Sequence, residues 1–93
     1  MKYKIQVASY DCNNQCFYKY TKYDFKKDEI LSFNSYEEAK KFIDKYIYEF
    51  IEHILRWPDH PVNIYEFNII ENKKIIKYRK IRLFGDPIVE HIV

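Results

Sequence analysis

The chain has 93 residues, 3 histidines and 2 cysteines, and its 16 Lys and Arg against 14 Asp and Glu leave a formal charge of +2. That length fits a single domain, 1–93, able to bury a core without disulfide support. So even a balance excludes a strongly basic or acidic chain, and nucleic acid could be met only through a local patch.

No apolar run is long enough to span a membrane. The opening Met1-Lys2-Tyr3-Lys4 starts a strand pattern rather than a leader, so a cytoplasmic protein with no membrane partner is expected. Lys, Ile, Tyr, Asn and Phe are favoured, and their codons are AT-rich. Part of the Tyr and Lys richness therefore reflects base composition rather than function.

Residues 2–10, KYKIQVASY, alternate, with Tyr3, Ile5 and Val7 on one side and Lys2, Lys4, Gln6, Ala8 and Tyr10 on the other. Residues 17–25, FYKYTKYDF, read as the second strand, and Asn13-Asn14 marks the turn between them. A loop of Asn13, Asn14 and Gln15 sets Tyr3 opposite Phe25, Ile5 opposite Tyr23 and Val7 opposite Thr21 on the inner face. It sets Lys4 opposite Asp24, Gln6 opposite Lys22, Ala8 opposite Tyr20 and Tyr10 opposite Tyr18 on the outer face. A one-residue slip would place Lys22 and Asp24 on the core side, so the first register is expected.

The same register faces Cys12 with Cys16, close enough for a bridge, but a cytosolic setting favours free thiols. A metal site of Cys12 and Cys16 with His53 or His60 has an acceptable cysteine spacing and an atypical histidine spacing. No metal or cofactor is expected.

Lys26-Lys27-Asp28-Glu29 reads as a polar turn and Ile30-Leu31-Ser32-Phe33 as a short strand. The stretch from Ser35 to Arg56 is the long helix. Ser35 and Glu38 have capping-box spacing, and Glu37 and Glu38 suit the positive end of the helix. Ala39, Phe42, Ile43, Tyr46, Ile47, Phe50, Ile51 and Ile54 share one face. Glu37, Lys41, Asp44, Lys45, Glu49 and Glu52 share the other. Tyr48 and Leu55 widen the apolar arc near the end, where a second contact surface is expected, and His53 sits at its edge, partly buried. Pro58 disfavours helix at Trp57 and so ends it.

Trp57-Pro58-Asp59-His60-Pro61 reads as a stiff loop, with Trp57 plugging the end of the core. Residues 63–70 and 75–84 form a second hairpin around Asn72-Lys73. That loop pairs Phe67 with Tyr78 and Ile69 with Ile76 on one face. It pairs Glu66 with Arg79 and Asn68 with Lys77 on the other, a favourable cross-strand match. Gly85-Asp86-Pro87 reads as a turn. Residues 88–93 read as a last strand or an exchanged tail. The whole is α+β: an antiparallel sheet of five to six strands with one long helix packed on one face.

Nothing in this pattern carries recognisable catalysis. The only glycine is Gly85, so no glycine-rich phosphate loop exists. Ser9, Ser32 and Ser35 have no histidine at nucleophile spacing. Asp59-His60 is accounted for by the turn that holds it, and the carboxylate pairs Glu37/Glu38 and Glu49/Glu52 lie on the solvated helix face. A non-enzymatic protein is expected.

The informative feature is width. A helix is ~10 Å across and strands lie ~4.8 Å apart, so one helix covers two or three strands of a wider sheet. The remaining face must stay open, curl or meet a partner. Tyr10, Tyr18, Tyr20, Lys22, Lys77 and Arg79, with Ile64 and Ile81, are expected on that outer face, and Tyr and Arg are residues that interfaces favour. The first reading is a protein-binding module, with a homodimer as one form of it. The alternative is a nucleic-acid binder, in which tyrosines stack bases and the interleaved lysines meet phosphates.

KYKIQV at 2–7, SFNSYEEAKKFIDKY at 32–46 and NIYEFNI at 63–69 together resemble the hairpin–helix–hairpin plan of small accessory proteins carried by phages and mobile elements. That class includes anti-CRISPR and other anti-defence inhibitors. The resemblance implies a stoichiometric inhibitor that binds a host protein inside the host cell. The mildly basic charge departs from the acidic DNA mimics of that class. No site residue carries over from it.

Overall fold

The computed structural model describes residues 2–11, 13, 15–24, 26–56, 64–83 and 88–91; for Phe17, Tyr18 and Tyr23 only the backbone is described. The elements are β1 (Tyr3–Tyr10), β2 (Cys16–Thr21), β3 (Tyr23–Asp24), β4 (Glu29–Ile30), β5 (Ser32–Phe33), α1 (Tyr36–Leu55), β6 (Ile64–Glu71), β7 (Lys74–Arg82) and β8 (Ile88–His91). The expected loop at 57–61, with Trp57 and His60, and the turn at 85–87 lie outside the described residues.

The helix begins where its cap says it should. Ser35 is extended, and its Oγ accepts from the Glu38 N–H at 3.2 Å. The Glu38 carboxylate reaches back to the Asn34 N–H, also at 3.2 Å, so two otherwise unpartnered donors are satisfied together. Ala39, Ile43, Ile47, Phe50 and Ile54 form the buried stripe. The far end is less covered than its apolar arc suggests, with Tyr48 65% and Leu55 57% exposed. His53, at the edge of that arc, is exposed rather than partly buried.

The main sheet is antiparallel, in the order β2-β1-β6-β7-β8, with β5 also paired to β1. The helix lies over β1, β5 and β6. That matches the reach of one helix, and it seals the core along β6. Phe50 meets Tyr65 and Phe67 edge-on at 4.8 and 5.4 Å between ring centroids, and Tyr46 meets Phe67 at 6.0 Å. Ile5, Val7, Ile69 and Ile81 complete the same layer. Burying each such side chain contributes about 1.5–3 kcal/mol. Ile88–His91 pairs with β7, Ile81 facing Val89, so these residues form a last strand.

The first hairpin adopts the one-residue slip rather than the expected register. Gln6 faces Thr21, Val7 faces Tyr20, Ala8 faces Lys19 and Ser9 faces Tyr18. The turn chemistry sets this. The Asp11 N–H donates to the Gln15 carbonyl, and the Asp11 carboxylate accepts from the Asn13 and Gln15 N–H groups. Closing the loop there puts Tyr10 opposite Cys16, and an irregularity between Ser9 and Tyr10 shifts the rest. Cys16 faces Tyr10 and is exposed and free; the expected Cys12–Cys16 pairing rests on Cys12, which lies outside the described residues.

The slip does not bury naked charge. Lys22 runs its stem along the helix side and places its ammonium 4.2 Å from the Tyr46 ring centre, which a cation favours. Asp24 leaves the main sheet and pairs with Glu29 in the small β3–β4 hairpin, where its carboxylate holds the Lys26 and Lys27 N–H groups. The chain returns as β5 beside Tyr3 and Lys4, the place the second strand was expected to fill.

In the second hairpin Asn72 and Lys73 form the two-residue turn with φ of 47° and 67°, and Ile69–Ile76 and Asn68–Lys77 pair as expected. A bulge then intervenes between Phe67 and Asn68. Beyond it Phe67 faces Arg79 and Glu66 faces Lys80, so the expected Phe67–Tyr78 and Glu66–Arg79 pairs are not made. Tyr78 is the inserted residue. Its hydroxyl donates to the Asp44 carboxylate on α1, 3.0 and 3.1 Å from the two oxygens, and Arg79 Nε lies 3.4 Å from the same group. Asp44, expected on the solvated helix face, thus ties the helix to β7.

Two outcomes are expected. Tyr78→Phe should lower unfolding free energy in urea by about 1–2 kcal/mol, since it removes a hydrogen bond to a half-exposed carboxylate. Lys73→Gly should raise it by up to about 1 kcal/mol, because glycine takes a positive φ without steric strain.

Candidate interface on the outer sheet face

The two register changes redistribute the residues singled out in the sequence. Tyr10 and Lys77 lie on the outer face as expected, Tyr10 half-buried and Lys77 exposed. Tyr20 packs against the core and Lys22 covers Tyr46, so both belong to the helix side. Arg79, turned by the bulge, also reaches the helix side. Tyr18 faces Ser9 in the ladder, and its side chain lies outside the described atoms. Ile64 stays on the outer face, whereas Ile81 is in the core. No tyrosine platform forms from the described side chains.

What the outer face carries instead follows from the ladder. β1 contributes Lys4, Gln6, Ala8 and Tyr10, and β6 contributes Ile64, Glu66, Asn68 and Ile70. β7 contributes Ile75, Lys77, Lys80 and Arg82, and Lys19 stands beyond Ala8 on β2. Five cations thus flank β6 from both sides. Glu66 and Glu90 are the carboxylates among them, lying 3.7 Å from Lys77 and 3.3 Å from Arg82 respectively. Both are ion pairs, the one to Lys77 the longer.

The centre is where sequence reasoning was blind. Glu66 and Asn68 are only 6% and 3% exposed, although α1, the one helix among the described residues, covers the opposite face. Lys80 and Lys77 of β7 stand beside them on one side, with Ala8 and Gln6 of β1 on the other. The Asn68 amide donates to Gln6 at 3.3 Å, but Asn68 Oδ1 and Glu66 Oε2 accept no hydrogen bond. A buried acceptor without a donor costs about 1–3 kcal/mol. A cross-strand Gln6–Asn68 pairing was the one sequence signal available, and it required knowing that β1 lies beside β6.

Burial first, then the Glu66 carboxylate and Cys16, push the Tyr10 hydroxyl above its ordinary pKa of 10.0. Burial and the hydrogen bond to Asp44 push Tyr78 the same way, against a smaller opposing effect of Arg79.

No three His, Cys, Asp or Glu side chains among the described residues gather as a metal would require. Among them, too, no helix is long and apolar enough to cross a membrane. These features define an α+β protein with a helix on one face of an antiparallel sheet and a cationic, hydrogen-bonding surface on the other. Comparison with protein-family models, with curated proteins and with solved structures finds no match in any of the three.

Both raised tyrosines hold their protons more tightly in the folded chain. Their contribution to stability is full below pH 10.0 and is lost as pH rises through the folded values. Ultraviolet titration of tyrosinate should show these two ionising above the ordinary value of 10.0. Glu66→Gln should bring Tyr10 part of the way back and leave Tyr78 unmoved; equal movement of both would reject the assignment.

Proposed function

We propose that the chain is a small non-enzymatic protein-binding module that engages its partner through the outer face of the sheet. The observation that carries this reading is the pair of buried acceptors, Glu66 Oε2 and Asn68 Oδ1, at the centre of a face that α1 leaves uncovered. Both atoms are closed to solvent in the free chain, so a partner's donors would meet them as the side chains beside them part, and would then remove the cost of leaving them unmet. Half-buried Tyr10 beside them is the kind of side chain on which binding energy concentrates. The resemblance to phage and mobile-element accessory proteins supports the finer reading, a stoichiometric inhibitor of a host protein such as a CRISPR or other defence component.

The five cations of the face favour nucleic acid as the second reading. Against it, Tyr20 is withdrawn into the core, which takes away a stacking position.

The test uses a partner isolated from a bacterial host and compares faces. Tyr10→Ala with Asn68→Leu should weaken binding ~10-fold or more, a change of about 1.4 kcal/mol. Tyr48→Ala with Leu55→Ala, on the exposed end of the helix, should leave affinity within about twofold. The reverse ranking would move the binding surface to the helix.

A further inference from the structure

The charge pattern of the outer face points beyond the existence of a partner to its chemistry. Lys4, Lys19 and Lys80 form no ion pair among the described residues, whereas Lys77 pairs with Glu66 and Arg82 with Glu90, so three of the five cations are left over. These cations stand on β1, β2 and β7, on both sides of β6. Between them, on β6 itself, lie the Glu66 and Asn68 acceptors with Gln6 alongside. The face is therefore cationic at its margins and acceptor-rich at its centre.

Resting on the docking face proposed above, we infer that its occupant is an acidic protein surface: carboxylates arranged around neutral hydrogen-bond donors. The marginal lysines meet the carboxylates, and on docking the side chains over Asn68 Oδ1 and Glu66 Oε2, which are closed to solvent in the free chain, part to admit hydroxyl or amide donors. A second copy is a poor fit, because apposing the same face sets five cations against five. A polynucleotide is a poorer fit than an acidic protein. The aromatic of the described outer face, Tyr10, lies close enough to Glu66 for that carboxylate to raise its pKa, so a base stacked there carries its phosphates toward a buried negative charge.

The experiment records amide spectra of the whole protein by nuclear magnetic resonance during three titrations. The probes are a synthetic peptide alternating glutamate and serine, oligo(dT), and the protein itself at rising concentration. The peptide should shift the amides of β1, β6 and β7 and leave the solvent side of α1 unmoved, and it should bind more weakly as salt rises. Lys77→Glu with Lys80→Glu should weaken it ~10-fold. Lys4→Glu with Lys19→Glu, both at exposed positions, should act in the same direction while the spectrum stays dispersed, which separates lost binding from lost folding. Tighter binding of oligo(dT), or self-association through these amides, would overturn the acidic-protein assignment while keeping the face as the binding surface. Shifts on α1 alone, or none with any probe, would overturn both.

Discussion

Three rings hold the molecule together. Phe50 packs edge-on against both Tyr65 and Phe67, and this contact fixes the helix over β6, the strand that every other part of the sheet is built out from. β1 and β7 pair with the two sides of β6, and β2, β5 and β8 pair with those in turn. Because the helix sits over β1, β5 and β6, the inner face is closed where the rings are, and β7 joins the same core through Ile81 and Tyr78 with polar contacts at its margin. Tyr78 and Arg79 both extend to Asp44, a polar strap at the margin of an apolar seam. The order of dependence runs from rings to strand to strap.

The same strand has two different faces. Toward the helix it shows Tyr65, Phe67 and Ile69; away from it, Ile64, Glu66, Asn68 and Ile70. Burial on both sides is unusual for a strand covered by one helix, and apolar residues would make it cheaper. A carboxylate and an amide in those positions cost stability that well-packed apolar residues would not. The cations around them moderate the charge of Glu66 without neutralising the face.

Features governed by nearby residues were legible in the sequence. Ser35 and Glu38 announced the start of the helix, its period announced the buried stripe, and Asn72-Lys73 announced the second turn with its first two pairs. The α+β architecture followed from those elements. The errors arose where one residue's offset depends on something distant or on a competing local bond. The bulge at Tyr78 answers to Asp44, 34 positions away, and no local pattern marks it. The first register was decided by the Asp11 carboxylate, which closes the turn before Asn13-Asn14 could set it. Reading Lys22 as an outward residue ignored that a long stem lets a charge sit on an aromatic ring. Since side chains alternate along a strand, each single-residue offset exchanged the faces of everything beyond it. That is why the candidate tyrosine cluster dispersed while the fold survived.

The charges of the helix are close to balance, Glu37, Glu38, Glu49 and Glu52 against Lys40, Lys41, Lys45 and Arg56 with Asp44 taken up by Arg79, whereas the sheet surface behind it carries five cations against Glu66 and Glu90. A nearly neutral molecule so polarised has little net pull at long range but feels a torque in the field of a charged neighbour. It would arrive already turned, sheet first toward an anion, shortening the rotational search that otherwise slows encounter. Orientation would then be settled before any side chain touches.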